Sequence, residues 1–260
     1  MKNIRKSLFL LLFLAILNFL IFNLDYVKET NSIKVPSIST AFNLIEDNNI
    51  KAPGSLSSFY WRDNYGNYHS AKLSISNRLY KKSKRNGNAA CSRLMNSYGN
   101  SWWSSLYVSL INHDDPLIPR SIFNEFEDIL KNRYYTHKEF ADVIVSCIQS
   151  MSYVIPNNNC EIYAPLELLR TQRGDCDSRT VLLATLLNRF GYDVIVINDK
   201  PNSHSMLAIS IPHSGRYISF KGKRYYAWET TAKGWKPGML PADYARWDMD
   251  SYWNTFVWFE

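Results

Sequence analysis

Residues 171–191 constrain the fold more than any other stretch of this chain. They read TQRGDCDSRTVLLATLLNRFG, and nearly every residue of 181–187 is apolar. A helix that is apolar on most sides must be covered by protein, so this stretch predicts a buried central helix. Asp175 or Asp177 is expected to cap its first turn, and Gly191 to end it in a left-handed conformation.

The start of this helix carries a cysteine, Cys176, and Gly174 is expected to permit the tight entry before it. The amino end of a helix presents free amide protons and the positive end of the dipole, which stabilise an anion. This position predicts a nucleophilic Cys176 that ionises to a thiolate at neutral pH. The carboxylates of Asp175 and Asp177 act in the opposite direction, because nearby negative charge raises the pKa of a thiol.

Two later segments supply the partners that a nucleophilic cysteine needs. SHSMLAI at 203–209 predicts a strand that begins at His204, and YYAWETT at 225–231 predicts a strand that ends at Glu229. A thiol nucleophile needs a base, and the base needs an acceptor that orients it. We therefore predict His204 as the general base of Cys176 and Glu229 as the orienting acid.

Other residues compete for these roles. His213 is a second candidate base, although it follows a proline in a predicted turn and is expected to point away from the helix start. Asp199 and Asp243 are alternative orienting acids.

The developing oxyanion of an acyl transfer also needs hydrogen-bond donors. The backbone amide of Cys176 is one expected donor. Gln172 and Tyr153 are the candidates for the second.

The motifs around these three residues resemble the transglutaminase-like family, a branch of the papain-like cysteine peptidase fold. They are the Gly-Asp-Cys at 174–176 with its leucine-rich helix, His204 at the start of a strand, and the Glu-Thr-Thr at 229–231. The resemblance covers roughly residues 135–240. In most of the family the third catalytic residue is Asp, so Glu229 departs from the usual pattern.

The resemblance implies an α+β fold with a papain-like core, in which helices pack on an antiparallel sheet. It implies cleavage or transfer of amide bonds through a Cys–His–Glu triad and a thioester. We expect a peptidase or amidase that acts on polypeptide or another amide substrate and uses no metal and no cofactor. The alternative is a non-catalytic binding or scaffold module that retains the fold.

The amino terminus has the composition of a membrane anchor. Lys2, Arg5 and Lys6 precede 18 mostly apolar residues at 7–24, and about 20 such residues cross a bilayer as a helix. No small-residue cleavage site follows, so we favour a single-pass anchor over a cleaved signal peptide. The positive-inside rule then predicts a cytoplasmic amino terminus and an extracytoplasmic remainder.

Composition changes along the chain predict four regions. They are an anchor at 1–24, a tether at 25–54, an accessory subdomain at 55–115 and the catalytic domain at 116–260. Within the accessory region, Gly66 between aromatic runs predicts a β-hairpin. Trp61, Trp102 and Trp103 are expected to pack in the core rather than to stack on a sugar.

Two helix starts are expected in the region that follows. Ser121 is the predicted cap of the first helix, and Thr136 with Glu139 predicts a capping box for the second.

The four cysteines limit the covalent possibilities. Cys147 and Cys160 are the nearest pair in the sequence and are compatible with one disulfide, although Cys147 also lies on an apolar helical stripe that predicts a core position. The chain has no Cys-x-x-Cys pair, which argues against a structural zinc site.

The net charge of +7 includes the basic run at 81–85. We expect this run to be a solvated loop, with an anionic surface as the alternative partner. No nucleic-acid-binding motif accompanies it, so no nucleic-acid partner is expected.

Overall fold

The computed structural model describes residues 55–95, 102–199, 204–242 and 253–256. The predicted anchor and tether lie outside this part of the chain. Among the described helices, none is both long and apolar enough to cross a bilayer.

The described residues form helices and strands in a mixed order. The helices are α1 Asn77–Met95, α2 Trp102–Asp114, α3 Arg120–Asn132, α4 His137–Gln149, α5 Pro165–Thr171 and α6 Cys176–Arg189. The strands are β1 Ser55–Arg62, β2 Tyr68–Ile75, β3 Ser152–Tyr153, β4 Arg173–Gly174, β5 Val194–Asp199, β6 His204–Ile209, β7 Tyr217–Phe220, β8 Lys223–Trp228 and β9 Trp253–Phe256.

Five strands form an antiparallel sheet in the order β7-β8-β6-β5-β9. A two-residue turn of Lys221 and Gly222, both at positive φ, joins β7 to β8. Such turns match the twist of the flanking strands. With the helices on this sheet, the expected α+β class is confirmed.

The predicted hairpin is also confirmed, as β1 pairs antiparallel with β2. Its turn is organised by Asp63, whose carboxylate accepts from the amides of Tyr65 at 3.0 Å and Asn67 at 2.8 Å. Asp63 also lies 2.8 Å from the ring of His69. The ring of His69 therefore has its hydrogen-bond partner within the hairpin.

Helix α6 is buried along most of its length, as expected. Asp175 is its N-cap, and its side chain accepts from the Ser178 amide at 3.0 Å. Gly191 follows the helix at φ 79°, as expected. Gly174 does not have a positive φ, so its backbone conformation does not require a glycine. A Cβ there would lie 2.7 Å from Leu168, so the glycine is needed for close packing.

The hairpin, α1 and α2 share one continuous hydrophobic core with α4 and α6. Trp61 is buried in it and donates to the carbonyl of Val143 at 3.1 Å, which confirms its packing role. Trp103 is half-buried against the same core. The side chain of Trp102 lies outside the described set. The region 55–115, predicted as an accessory subdomain, thus packs against the predicted catalytic domain.

The structure corrects three expectations from the sequence. The disulfide joins Cys91 to Cys160, not Cys147 to Cys160. Cys147 is a free thiol on α4 and is buried in the hydrophobic core. Ser121 caps nothing, since α3 already begins at Arg120 after Pro119. The basic run at 81–85 lies inside helix α1 instead of a loop. The Thr136–Glu139 capping box, in contrast, is confirmed.

Candidate active site

Cys176 is the first residue of α6 and is 5% exposed. Within the described chain, its backbone N–H donates to no acceptor, as is usual in the first turn of a helix. An amide with no partner beside the sulfur is placed to bind an oxyanion.

His204 and Glu229 form a buried pair at adjoining strands of the sheet. His204 begins β6, Glu229 follows β8, and His204 Nε2 lies 2.8 Å from Glu229 Oε2. The other oxygen of Glu229 accepts from the Thr231 amide at 2.8 Å and from its hydroxyl at 2.6 Å. Burial acts to raise the pKa of Glu229, but these hydrogen bonds outweigh it and hold that pKa below its usual value.

Helix α6 packs against β6, so its first turn lies beside the residue that follows His204. One turn after Cys176, the hydroxyl of Thr180 donates to the Ser205 carbonyl at 3.3 Å. The Ser205 amide faces the Cys176 sulfur and acts to lower the pKa of the thiol. The residue after His204 is therefore in contact with the nucleophile.

The surroundings of Cys176 disfavour the ionised form of its thiol. Burial raises its pKa well above the usual value, and the carboxylates of Asp177 and Asp175 add to the effect. The amides of Ser205 and Asp177 act in the opposite direction but do not outweigh them. Burial and two carboxylates therefore oppose the effect of the helix terminus, and the expected thiolate stays a prediction.

The two carboxylates have separate partners. Burial raises the pKa of Asp175 to about 7, and its oxygen accepts from the Ser178 hydroxyl at 2.5 Å. Asp177 accepts from the hydroxyls of Tyr107 and Ser205, which lie 2.7 Å apart. Tyr107 lies on α2, so the region 55–115 reaches the floor of the site.

Of the two oxyanion candidates, the structure brings only Tyr153 to the nucleophile. Tyr153 lies on β3 and is 51% exposed as a residue, and its hydroxyl lies beside the Cys176 thiol. Burial and the neighbouring Cys176 raise the pKa of Tyr153, so it remains a proton donor. Gln172 ends α5 in a left-handed conformation and its carbonyl accepts from Ser152. No hydrogen bond joins its side chain to Cys176 in the described residues.

The alternative base and acids have other positions. The ring of His213 lies 6.3 Å from Tyr226, which pairs with the far end of β6 from His204. The backbone of Asp199 pairs with His204 across the sheet, but its side chain is outside the described set. Asp243 also lies outside the described residues.

The ligand atoms of Asp175, Cys176 and Asp177 lie within 4.8 Å of one another. Hydroxyl and amide donors already bind both carboxylates. The expected absence of a metal stays a prediction.

Sequence reasoning missed three buried residues of the site: Tyr107, Gln149 and Arg179. Gln149 donates to the Glu229 carbonyl at 2.7 Å. Arg179 donates to four carbonyls around the site. Arg179 could have been found, because a charged residue in a helix that is expected to be buried indicates a special role. The sequence gives no such signal for Tyr107 or Gln149.

The chain matches no protein-family model, and no curated protein or solved structure matches it. The resemblance to the transglutaminase-like family therefore rests on the three motifs alone.

Proposed function

We propose that this protein is a membrane-anchored cysteine enzyme of transglutaminase-like type with a papain-like core. It cleaves or transfers amide bonds through Cys176, His204 and Glu229, and hydrolysis of a peptide or amide is the favoured reaction. The buried His204–Glu229 pair beside the amino end of α6 carries this proposal.

The first half-reaction forms a thioester. Because burial raises the pKa of the thiol, its proton moves to His204 Nδ1, the ring nitrogen that does not face Glu229, as the sulfur attacks. The sulfur bonds to the amide carbon, and the carbonyl electron pair moves to oxygen. The Cys176 amide and the Tyr153 hydroxyl stabilise this oxyanion. The C–N bond then breaks, and the amine leaves with the proton from His204.

The second half-reaction releases the acyl group. His204 takes a proton from water, the water oxygen bonds to the thioester carbon, and the C–S bond breaks. The proton returns to sulfur, and a carboxylic acid is released. A second amine in place of water gives transfer by the same steps. Glu229 keeps the imidazole oriented and stabilises the imidazolium.

Two features support the proposed location. The 18 apolar residues at 7–24 follow three cations, a pattern typical of an anchor with a cytoplasmic amino terminus. The disulfide between Cys91 and Cys160 is typical of an oxidising compartment. The catalytic part is therefore proposed to lie outside the cytoplasm.

The test compares iodoacetamide labelling of Cys176 in the full-length wild type, His204→Ala and His213→Ala, by peptide mass spectrometry from about pH 5 to pH 9. We expect His204→Ala to slow labelling at neutral pH by at least about tenfold, because the thiol loses its base. His213→Ala is expected to have no effect. Cys147, which is buried in the core, serves as the unreactive internal reference.

A peptide pool with a fluorescent primary amine then distinguishes hydrolysis from transfer. New carboxyl termini indicate hydrolysis, and amine incorporation indicates transfer. Cys176→Ser must abolish either product. Cys176 labelling that is equal in the wild type and His204→Ala at every pH would contradict the proposed enzyme.

The second candidate function is a non-catalytic binding module. The burial of Cys176 and its raised pKa favour it, since both are typical of inert structural cysteines. This candidate predicts labelling that is slow throughout the range and indifferent to His204.

A further inference from the structure

Arg179 is the one arginine or lysine among the buried residues of the described chain. It lies on α6, one turn after Cys176, and is 0% exposed. Its guanidinium donates only to backbone carbonyls: to Met151 at 2.7 Å, Thr231 at 2.8 Å, and Gly174 and Thr230 at 3.1 Å each.

These carbonyls belong to three segments that are distant in the sequence, and each segment carries one group of the site. Gly174 precedes the N-cap and Cys176. Met151 precedes β3, which carries Tyr153. Thr230 and Thr231 follow Glu229 directly. One side chain therefore fixes the backbone beside the nucleophile, the second oxyanion donor and the orienting acid.

The charge of Arg179 has no direct counter-ion among the described carboxylates. Burial of an unpaired cation costs several kcal/mol, whereas an apolar residue, as at 181–184 of the same helix, would avoid that cost. Burial lowers the pKa of Arg179, while Tyr153, Asp175, Glu229 and Cys176 act to keep it charged. The guanidinium carbon also lies 5.7 Å from the ring centroid of Tyr153. A fixed positive charge thus lies in the same buried site as the thiol.

We propose that Arg179 is the positioning residue that assembles the site, by holding the segments of Cys176, Tyr153 and Glu229 together and by stabilising the thiolate as it forms. This inference rests on the proposed function. The planar guanidinium is essential because its donors point in several fixed directions, whereas lysine offers one ammonium point charge. Arg179→Lys therefore separates geometry from charge, and Arg179→Met removes both.

The test measures how strongly Cys176 labelling depends on His204 in each background of the full-length chain. The quantity is the iodoacetamide rate at neutral pH with His204 intact, divided by the rate after the His204→Ala substitution. This ratio is recorded for the wild type, Arg179→Lys and Arg179→Met. Arg170→Met is the matched control, because Arg170 also donates to a carbonyl, that of Ile75, and lies over an aromatic ring, but away from the site. Thermal unfolding of every variant is recorded in parallel.

We expect Arg179→Lys to reduce the ratio at least about tenfold, because the proton transfer depends on the placement of His204 and Cys176. Arg179→Met should reduce the ratio as well and also move the labelling profile to higher pH, because the thiolate is stabilised by the positive charge. Arg170→Met should lower stability only. A ratio and a profile that are unchanged in both Arg179 variants would overturn the inference. Loss of folding in both variants would assign Arg179 to folding alone and would overturn it too. A wild-type ratio near one would instead contradict the proposed function itself.

Discussion

The ionisation of Cys176 depends on its immediate neighbours more than on the helix that it begins. A helix terminus favours an anion by about 0.3–1 kcal/mol in exposed settings. Burial and the charges of Asp175 and Asp177 exceed this at the described site. In the proposed mechanism the proton consequently leaves the thiol during the attack, and the placement of His204 decides whether it can do so.

Asp175→Asn tests this balance. Asparagine caps a helix as well as aspartate does, so the fold is retained while one negative charge beside the thiol is removed. We expect the pKa of Cys176 to fall and its iodoacetamide profile to move to lower pH by about one unit. Asp193→Asn is the control, since Asp193 pairs with Lys223 at the surface at 2.6 Å. An unmoved profile in Asp175→Asn would show that burial and Asp177, and not the charge of Asp175, raise the pKa.

The site residues that could be predicted from the sequence lie where helices and strands begin or end. Cys176, His204 and Glu229 each begin or follow a helix or strand, and polar residues at such places are recognisable. The contacts of Arg179 were not predictable, because backbone carbonyls have no sequence signature. The sequence did not predict the pairing of Cys91 with Cys160, because residues far apart in the sequence become neighbours when helices pack together.

Packing, more than backbone conformation, governs the junction between α5 and α6. Gly174 lies at this junction with an ordinary φ, and a Cβ there would lie 2.7 Å from Leu168 and 3.0 Å from Ser178. Leu168 is fully buried, so it has little freedom to move.

Gly174→Ala should therefore destabilise the protein by about 1–3 kcal/mol through overpacking, measured by urea unfolding. Gly222→Asn is the control. A side chain there has open space, and asparagine tolerates the positive φ, so we expect a change within about 0.5 kcal/mol. Equal stability of the wild type and Gly174→Ala would mean that α5 and α6 separate freely at this point.

The elements themselves were largely predictable. The apolar runs of α6 and β5 and the capping box of α4 have local signals that tertiary contacts do not reverse. The run at 81–85 was mistaken for a loop because charge indicates exposure and not backbone conformation. Inside α1 its buried position, Ser83, is bonded to Asp114 of α2, a contact that only the packed structure reveals.

Asp114 connects three helices, α1, α2 and α5. Its carboxylate accepts from the Ser83 hydroxyl on α1 and from the Leu166 amide on α5 at 3.3 Å, while Asp114 itself ends α2. Burial raises its pKa from 3.8 to about 6. The folded state therefore holds this proton more tightly than the unfolded chain.

The contribution of Asp114 to stability is fully present below about pH 3.8 and is lost as the pH rises through about 6. Asp114→Asn retains an acceptor without a charge, so we expect its stability relative to the wild type to rise by about 2–3 kcal/mol between pH 4 and pH 7. Urea midpoints at pH 4, 5, 6 and 7 measure this difference. Parallel curves for the two proteins would contradict a buried titrating carboxylate at this joint.

The bond between Cys91 and Cys160, whose sequence separation is 69, closes the chain between them into a ring that contains α2, α3 and α4. A protease that cuts anywhere inside this ring opens it but leaves the hairpin and α6 in one covalent molecule. Such a nicked chain would run as a single band on a gel until a reductant divides it in two. One cleavage within this ring therefore leaves both halves joined for as long as the disulfide stays intact.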